Sequence, residues 1–196
     1  MKELSLHILD IVQNSLKAKA TIVEIRINEN LKNDRLTIEI KDNGKGMSQG
    51  LLEKATDPFV TTRKTRRVGL GLSLLKAAAQ QCEGDLSIES VEGIGTRVYT
   101  TFQYSHIDRV PLGNMVDSLI TLLIASEEED SADPSNKSED SAAFNYVYEH
   151  QINDQTFLFE TKEIKKILGN TPINDVYVLD WIKNYLKENL ERLVKT

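Results

Sequence analysis

The chain has a single cysteine, Cys82, which excludes an intramolecular disulfide framework. One thiol suits a reducing compartment. Near the end of a helical pattern, Cys82 reads as a packed side chain rather than a nucleophile. The chain also lacks basic excess: the net charge is -6 and the pI about 5.2. No positive field exists to attract nucleic acid or anionic lipid. Long hydrophobic runs are missing too. The longest, "LITLLIA" (Leu119 to Ala125), is far short of the roughly 20 residues that span a bilayer. The opening "MKELSLHILD" carries charges where a signal peptide needs its apolar region. These absences predict a cytoplasmic protein with no nucleic-acid partner and no membrane insertion.

What remains is ordinary globular material. The 196 residues, 40% hydrophobic and 28% charged, suffice for one good core or one core with a small appendage. In the first segment Leu4, Ile8, Ile11, Val12, Leu16 and Ala18 share one half of a helical wheel. Glu3, His7, Asp10, Asn14 and Lys17 form a polar stripe opposite. "TIVEIRINE" (21–29) and "RLTIEIKD" (35–42) alternate apolar and polar residues across a turn-rich link, which predicts an antiparallel hairpin. A glycine turn follows, then a short helix near 48–55 and an irregular basic stretch over 56–68. A helix is expected from Leu70 to Gln81, stopping near Gly84. "DLSIES" and "GTRVYTTF" supply two more strands. Short links between consecutive strands predict a two-layer α/β sandwich, largely antiparallel, with helices on one face.

Downstream, "NMVDSLITLLIAS" reads as a helix. The acidic, serine-rich stretch over 127–142 has no apolar period and reads as a flexible linker or long loop. The resulting division is a domain over 1–104, a helical extension over 105–126, that linker, and a small α+β hairpin-helix module over 143–196. The last is too small for a large core, so it is expected to pack on the first domain or on a second copy.

Three turns carry glycines where a ligand could approach the backbone. "DNGKGM" (42–47) follows a strand directly, and a carboxylate there could accept a hydrogen bond from an exocyclic amine. "VGLGLSLLK" (68–76) opens a helix whose amides form an anion site, although it has neither P-loop nor dinucleotide spacing. "TTRKTRR" just upstream offers hydroxyls and cations for a lid. "GIGTRV" (93–98) turns into the last strand. Each alone is an ordinary turn or a solvated basic loop.

In order and spacing, "DIVQNSLKAKAT", "DNGKGM", "DPFVTTRK", "VGLGLSLLK" and "GIGTRV" resemble the ATP-binding domain shared by gyrase B subunits, heat-shock chaperones, histidine kinases and MutL proteins, the GHKL superfamily. The resemblance covers about Leu4 to Phe102 and implies a Bergerat ATP-binding fold with ATP and Mg²⁺ as cofactors. By this resemblance Asn14 would hold Mg²⁺ between the phosphates, and Lys17 would contact phosphate. Asp42 would take the adenine amine, with Gly44, Gly46 and Met47 lining the base and Thr96 supporting the aspartate. Thr61, Thr62 and Arg63 would sit in the lid, and Gly69, Leu70, Gly71 and Leu72 at the phosphates.

Two departures are informative. Asp10 stands where hydrolysing members carry a catalytic glutamate. The i, i+4 spacing puts it on the face of Asn14, as a general base or as a structural ion pair or lid contact. "SHIDRVPLGNMVDSLITLL" is similar to the histidine-kinase acceptor motif, which would make His106 a phosphoacceptor, but it follows the ATP domain instead of preceding it. The bland alternative is a surface histidine at a strand's exit. The implied activity is a protein kinase or signalling ATPase that works with a protein partner. A nucleotide sensor without turnover and a MutL- or chaperone-like clamp stand as alternatives. A homodimer through "NMVDSLITLLIA" is left open.

Overall fold

The computed structural model describes residues 2–56, 70–132 and 144–195. Helix α1 (Leu4–Lys17) buries the apolar stripe that the periodicity defines: Leu4, Ile8, Ile11, Val12 and Leu16. It ends in a left-handed turn at Lys19 (φ 60°), where the backbone N–H groups of Ala18 and Lys19 return to Asn14 and Leu16. Strands β1 (Ile22–Asn30) and β2 (Arg35–Asp42) form the expected antiparallel hairpin. Next come the single turn α2 (Gln49–Leu52), helix α3 (Leu70–Gln81), and strands β3 (Leu86–Val91) and β4 (Gly95–Gln103). The C-terminal half holds α4 (Met115–Ala132), β5 (Asn145–Ile152), β6 (Gln155–Glu160), α5 (Thr161–Leu168) and α6 (Val176–Lys195).

One sheet of six strands runs in the order β3-β4-β2-β1-β5-β6. Every neighbouring pair is antiparallel except β1 and β5, which are parallel. Register carries the two-layer character across the sheet. Ile88, Val98, Ile40, Ile25, Tyr148 and Phe159 form a continuous row on the helix side. The neighbouring row, Ser87, Tyr99, Glu39, Arg26, Glu149 and Leu158, faces the other way and is polar except at its last member. The period of two thus sorts core from surface in all six strands. Each large aliphatic chain buried this way contributes about 1.5–3 kcal/mol. The architecture is the two-layer α/β sandwich with a mixed, mostly antiparallel sheet that the sequence predicts.

Three details differ from the sequence reading. Helix α4 continues to Ala132, six residues into the stretch read as linker. Glutamate is a good helix former and no breaker precedes Pro134, so the helix propagates where the apolar period has ended. The short helix expected near 48–55 is confined to Gln49–Leu52. The hairpin of the C-terminal segment is continuous with the main sheet, because β5 lies beside β1 along its length. The apolar side of α4 is covered within the chain, with Leu119, Leu122 and Leu123 buried and the helix packed on α1 and α6. Among the described residues, no helix is long and apolar enough to cross a membrane. Residues 57–69 and 133–143 lie outside the described residues.

Candidate nucleotide site

The site is built where α1, the end of β2 and the start of α3 meet. Asp42 closes β2, half-buried, and each carboxylate oxygen has one partner among the described residues. Ser15 Oγ donates to Oδ2 at 2.7 Å, and the Gly44 backbone N–H donates to Oδ1 at 2.9 Å. An ionised carboxylate has about four lone-pair positions, so acceptor capacity remains on both oxygens. Asn43 anchors the turn, its Oδ1 accepting from the Thr21 and Ile22 amides at 2.9 Å each. Lys45 N donates to Ala18 O, and Gly93 N to Lys45 O. Gly46 has φ 65°, and a Cβ there would overlap the Val91 carbonyl. Glycine at 46 is therefore a requirement of the turn's packing as well as of its φ.

A second hydroxyl cluster holds the turn from below. The Met47 N–H donates to Ser90 Oγ at 2.8 Å, while Ser90 Oγ also contacts Thr96 Oγ1 (2.9 Å) and Gly95 O (3.0 Å). Thr96 is the register partner of Asp42, yet its hydroxyl goes to Ser90 and not to the carboxylate. Ser15 fills that supporting role.

About 7–8 Å along α1 from Ser15, by the helical rise of five residues, lies the other end of the site. Asp10 presses its carboxylate on Gly71 in the first turn of α3, where a Cβ would overlap Oδ2. That is where an acid is favoured by the helix dipole. His7 lies between the same two helices, 2% exposed, and is hydrogen-bonded to the Gly71 backbone. Burial pushes its imidazole below the ordinary value, and Nδ1 has no partner among the described residues. His7 belongs to the polar stripe by spacing, and the packing of α3 against that flank buries it. Asn14 and Lys17, on the same stripe, are exposed.

The structure therefore brings together Asp42, Gly44, Gly46, Met47 and Thr96 at one end, and Asp10 and Gly71 at the other, with Asn14 and Lys17 on the connecting helix. Leu70 opens α3, and Leu72 is packed against the core. Thr61, Thr62, Arg63 and Gly69 lie outside the described residues. His106 is not brought in. It follows Gln103, which pairs with Arg35 at the far end of β2 from Asp42. Seven strand residues separate the two ends, roughly 23 Å. Its Nδ1 accepts from the Asp108 N–H at 3.2 Å. Sequence reasoning missed Ser15, Ser90 and the burial of His7. The first had a visible signal, since a serine in the middle of an apolar helical arc needs a hydrogen-bond partner.

A sandwich of this topology, with a carboxylate at a strand end and a glycine turn beside a long helix, has the Bergerat arrangement. Residues 2–106 match the family described as histidine kinase-, DNA gyrase B- and HSP90-like ATPase. That is more than half of the chain, and the chain belongs to this family. Similar proteins include a putative sensor protein of Shewanella frigidimarina, 33% identical over 103 residues, covering 52% of this chain and 16% of that protein. The sensor protein kinase WalK of Staphylococcus haemolyticus is 36% identical over 91 residues, 44% of this chain and 15% of that one. The chain thus matches a small part of these proteins. A crystal structure of the N-terminal domain of a DNA repair protein superposes with a TM-score of 0.55 at 15% identity, covering 88% of this chain and 59% of that one. That likeness is one of fold, and at 88% coverage it extends past residue 106 into the C-terminal strands and helices.

Proposed function

We propose that this chain binds ATP with Mg²⁺ and delivers a phosphoryl group, or the free energy of hydrolysis, to a protein partner. The observation that carries this reading is the Asp42 carboxylate, held by Ser15 and Gly44 with lone pairs left for an exocyclic amine. Gly44 and Gly46 keep side chains away from the base. The exposed amide of Asn14 and the ammonium of Lys17 would hold the metal and phosphates. Among the described residues no cluster of three or more His, Cys, Asp or Glu could hold a metal ion. This donor set fits Mg²⁺ carried on phosphates, which needs one or two protein ligands. When bound, Mg²⁺ supplies charge neutralisation at the phosphates. The amides at the start of α3 add to that field.

Isothermal titration with ATP, with and without Mg²⁺, tests the reading. Wild-type protein is expected to bind and Asp42→Asn to lose binding; equal affinity in both would overturn it. Incubation with Mg²⁺ and γ-labelled ATP then separates transfer from hydrolysis. Labelled protein or partner marks a kinase. Phosphate release that disappears in Asp10→Ala marks an ATPase with Asp10 as base.

The placement of Asp10 against Gly71 favours a second reading, a nucleotide sensor without turnover. A carboxylate packed on a helix end positions that helix, and the approach of phosphate would displace it. ATP binding with neither label nor phosphate release would support this alternative.

A further inference from the structure

Far from the nucleotide site, the sheet ends in β6. This strand pairs with β5 on one side and, among the described residues, has no neighbour in the sheet on the other. Proteins ordinarily blunt such an edge with lysine, proline or a bulge. Here the charge on the strand is confined to its last residue, Glu160; "QTFLF" (Gln155 to Phe159) has no charge and no proline, and all six residues of β6 pair with β5 in unbroken register. Leu158, 49% exposed, ends an otherwise polar row on the open face.

The helix above this edge continues the same surface. Tyr185 of α6 meets Phe157 and Phe159 at ring centroid distances of 6.0 and 6.4 Å, so α6 lies over β6. Lys183 reaches Asp117 of α4 at 3.0 Å, which fixes the inner flank of α6. Trp181 and Tyr185 are each two residues, about 200° of helix, from Lys183. Their flank therefore faces outward past the edge strand. Trp181 stacks on Tyr185 (5.5 Å) yet is 52% exposed, and Tyr177, one turn earlier, is 82% exposed.

We propose that two copies of this chain pair through β6 as an antiparallel dimer, with the two-fold axis at Leu158 and the aromatic flanks of α6 meeting above it. An isologous contact needs a self-complementary surface, and this strand offers one. With the axis at Leu158, Phe157 stands opposite Phe159 of the second copy, and Glu160 opposite Thr156. Side chains stay on matching faces, so the helix layers of both copies cover one side of a continuous twelve-stranded sheet. Shifting the axis to Phe157 would set Glu160 opposite Asp154, a like-charge pair that disfavours that register. A strand from an unrelated protein could use the same edge but would not require this symmetry. The inference is independent of the nucleotide reading.

Light scattering on the full chain at about 100 μM, above the Kd of an ordinary specific interface, should give twice the chain mass. Leu158→Lys should halve it while leaving the far-ultraviolet circular dichroism of the folded chain unchanged. Leu158→Cys should form a disulfide-linked dimer under mild oxidation, since facing residues have Cα atoms about 4.5–5.5 Å apart. Thr156→Cys should not, since its counterpart lies roughly 13 Å away across the axis. Native Cys82 is buried and serves as the internal control. A monomeric wild type overturns the proposal, as does equal cross-linking of both variants. So does a monomer that accepts only an added strand peptide.

Discussion

The two ends of the central strands use polar side chains in opposite ways. At the Asp42 end, a half-buried carboxylate has one donor on each oxygen and retains acceptor capacity. At the other end, Glu29 is enclosed by side chains that are themselves tied to other elements. His150 Nε2 lies 2.7 Å from its Oε1, Tyr148 OH lies 3.0 Å from His150 Nδ1, and Tyr104 hydrogen-bonds the same carboxylate. Arg109 covers the Tyr104 ring at 4.6 Å, and Asp34 ties the turn to Ser105 and Gln103. One end leaves a half-exposed carboxylate, as the proposed nucleotide site requires, and the other fastens three parts of the chain together. Each carboxylate has two donors, so the two clusters are distinguished by enclosure: the donors of Glu29 come from distant parts of the chain and close over it.

The largest expected effect breaks the fastened end. Glu29→Ala leaves His150 and Tyr104 without their shared acceptor and should cost about 3 kcal/mol, with ATP affinity unchanged. Thermal melts beside titration calorimetry check this; parallel loss of affinity would mean that the ends are coupled. Asp42→Asn should do the reverse, weakening ATP binding at least ~100-fold with little change in melting temperature. Ser90→Ala, which frees the Met47 amide and Thr96, should cost about 1 kcal/mol and a few-fold in affinity.

Acid titration sharpens the comparison further. Burial alone would raise the Glu29 carboxyl, but the His150 and Tyr104 hydrogen bonds and the charges of His150 and Arg109 hold it below its ordinary 4.5. Its stabilising contribution is therefore complete above that value and is lost as pH falls through the lower folded value. Glu29→Gln should flatten the stability curve in that acid window. The smallest effect belongs to His106→Ala. Because it lies at the fastened end, ATP-dependent labelling should be unchanged, and its loss would require transfer between chains.

Local pattern made much of this molecule legible. Alternation in "TIVEIRINE" and "RLTIEIKD" and the 3.6-residue period of α1 and α3 reflect burial of one face, a signal written into neighbouring residues. The placing of Asp42 beside the glycine turn of the candidate site was legible because glycine turns and a strand-terminal aspartate leave compact motifs. Pairing of β1 with β5 was not, since no short-range feature says which strand a distant segment will join. Ser15 and Ser90 escaped for a similar reason: a hydroxyl's partner is fixed by tertiary approach, and Ser90 read as one more polar residue of a strand. The extension of α4 was hidden by the loss of apolar period, although glutamates propagate a helix without one.

The parallel β1–β5 ladder has a consequence for how the chain reaches its native state. It aligns Ile22 with Asn145 and Glu29 with Ile152, a separation of 123 residues in each case. Such non-local pairing raises contact order and forms late, after loop closure has been met. Until then β1 is an unpaired margin rich in isoleucine and valine. The segment that sequence similarity delimits, 2–106, is thus shorter than the stretch that builds the sheet. A nascent chain stopped there would present β1 as an adhesive border until its last third is synthesised.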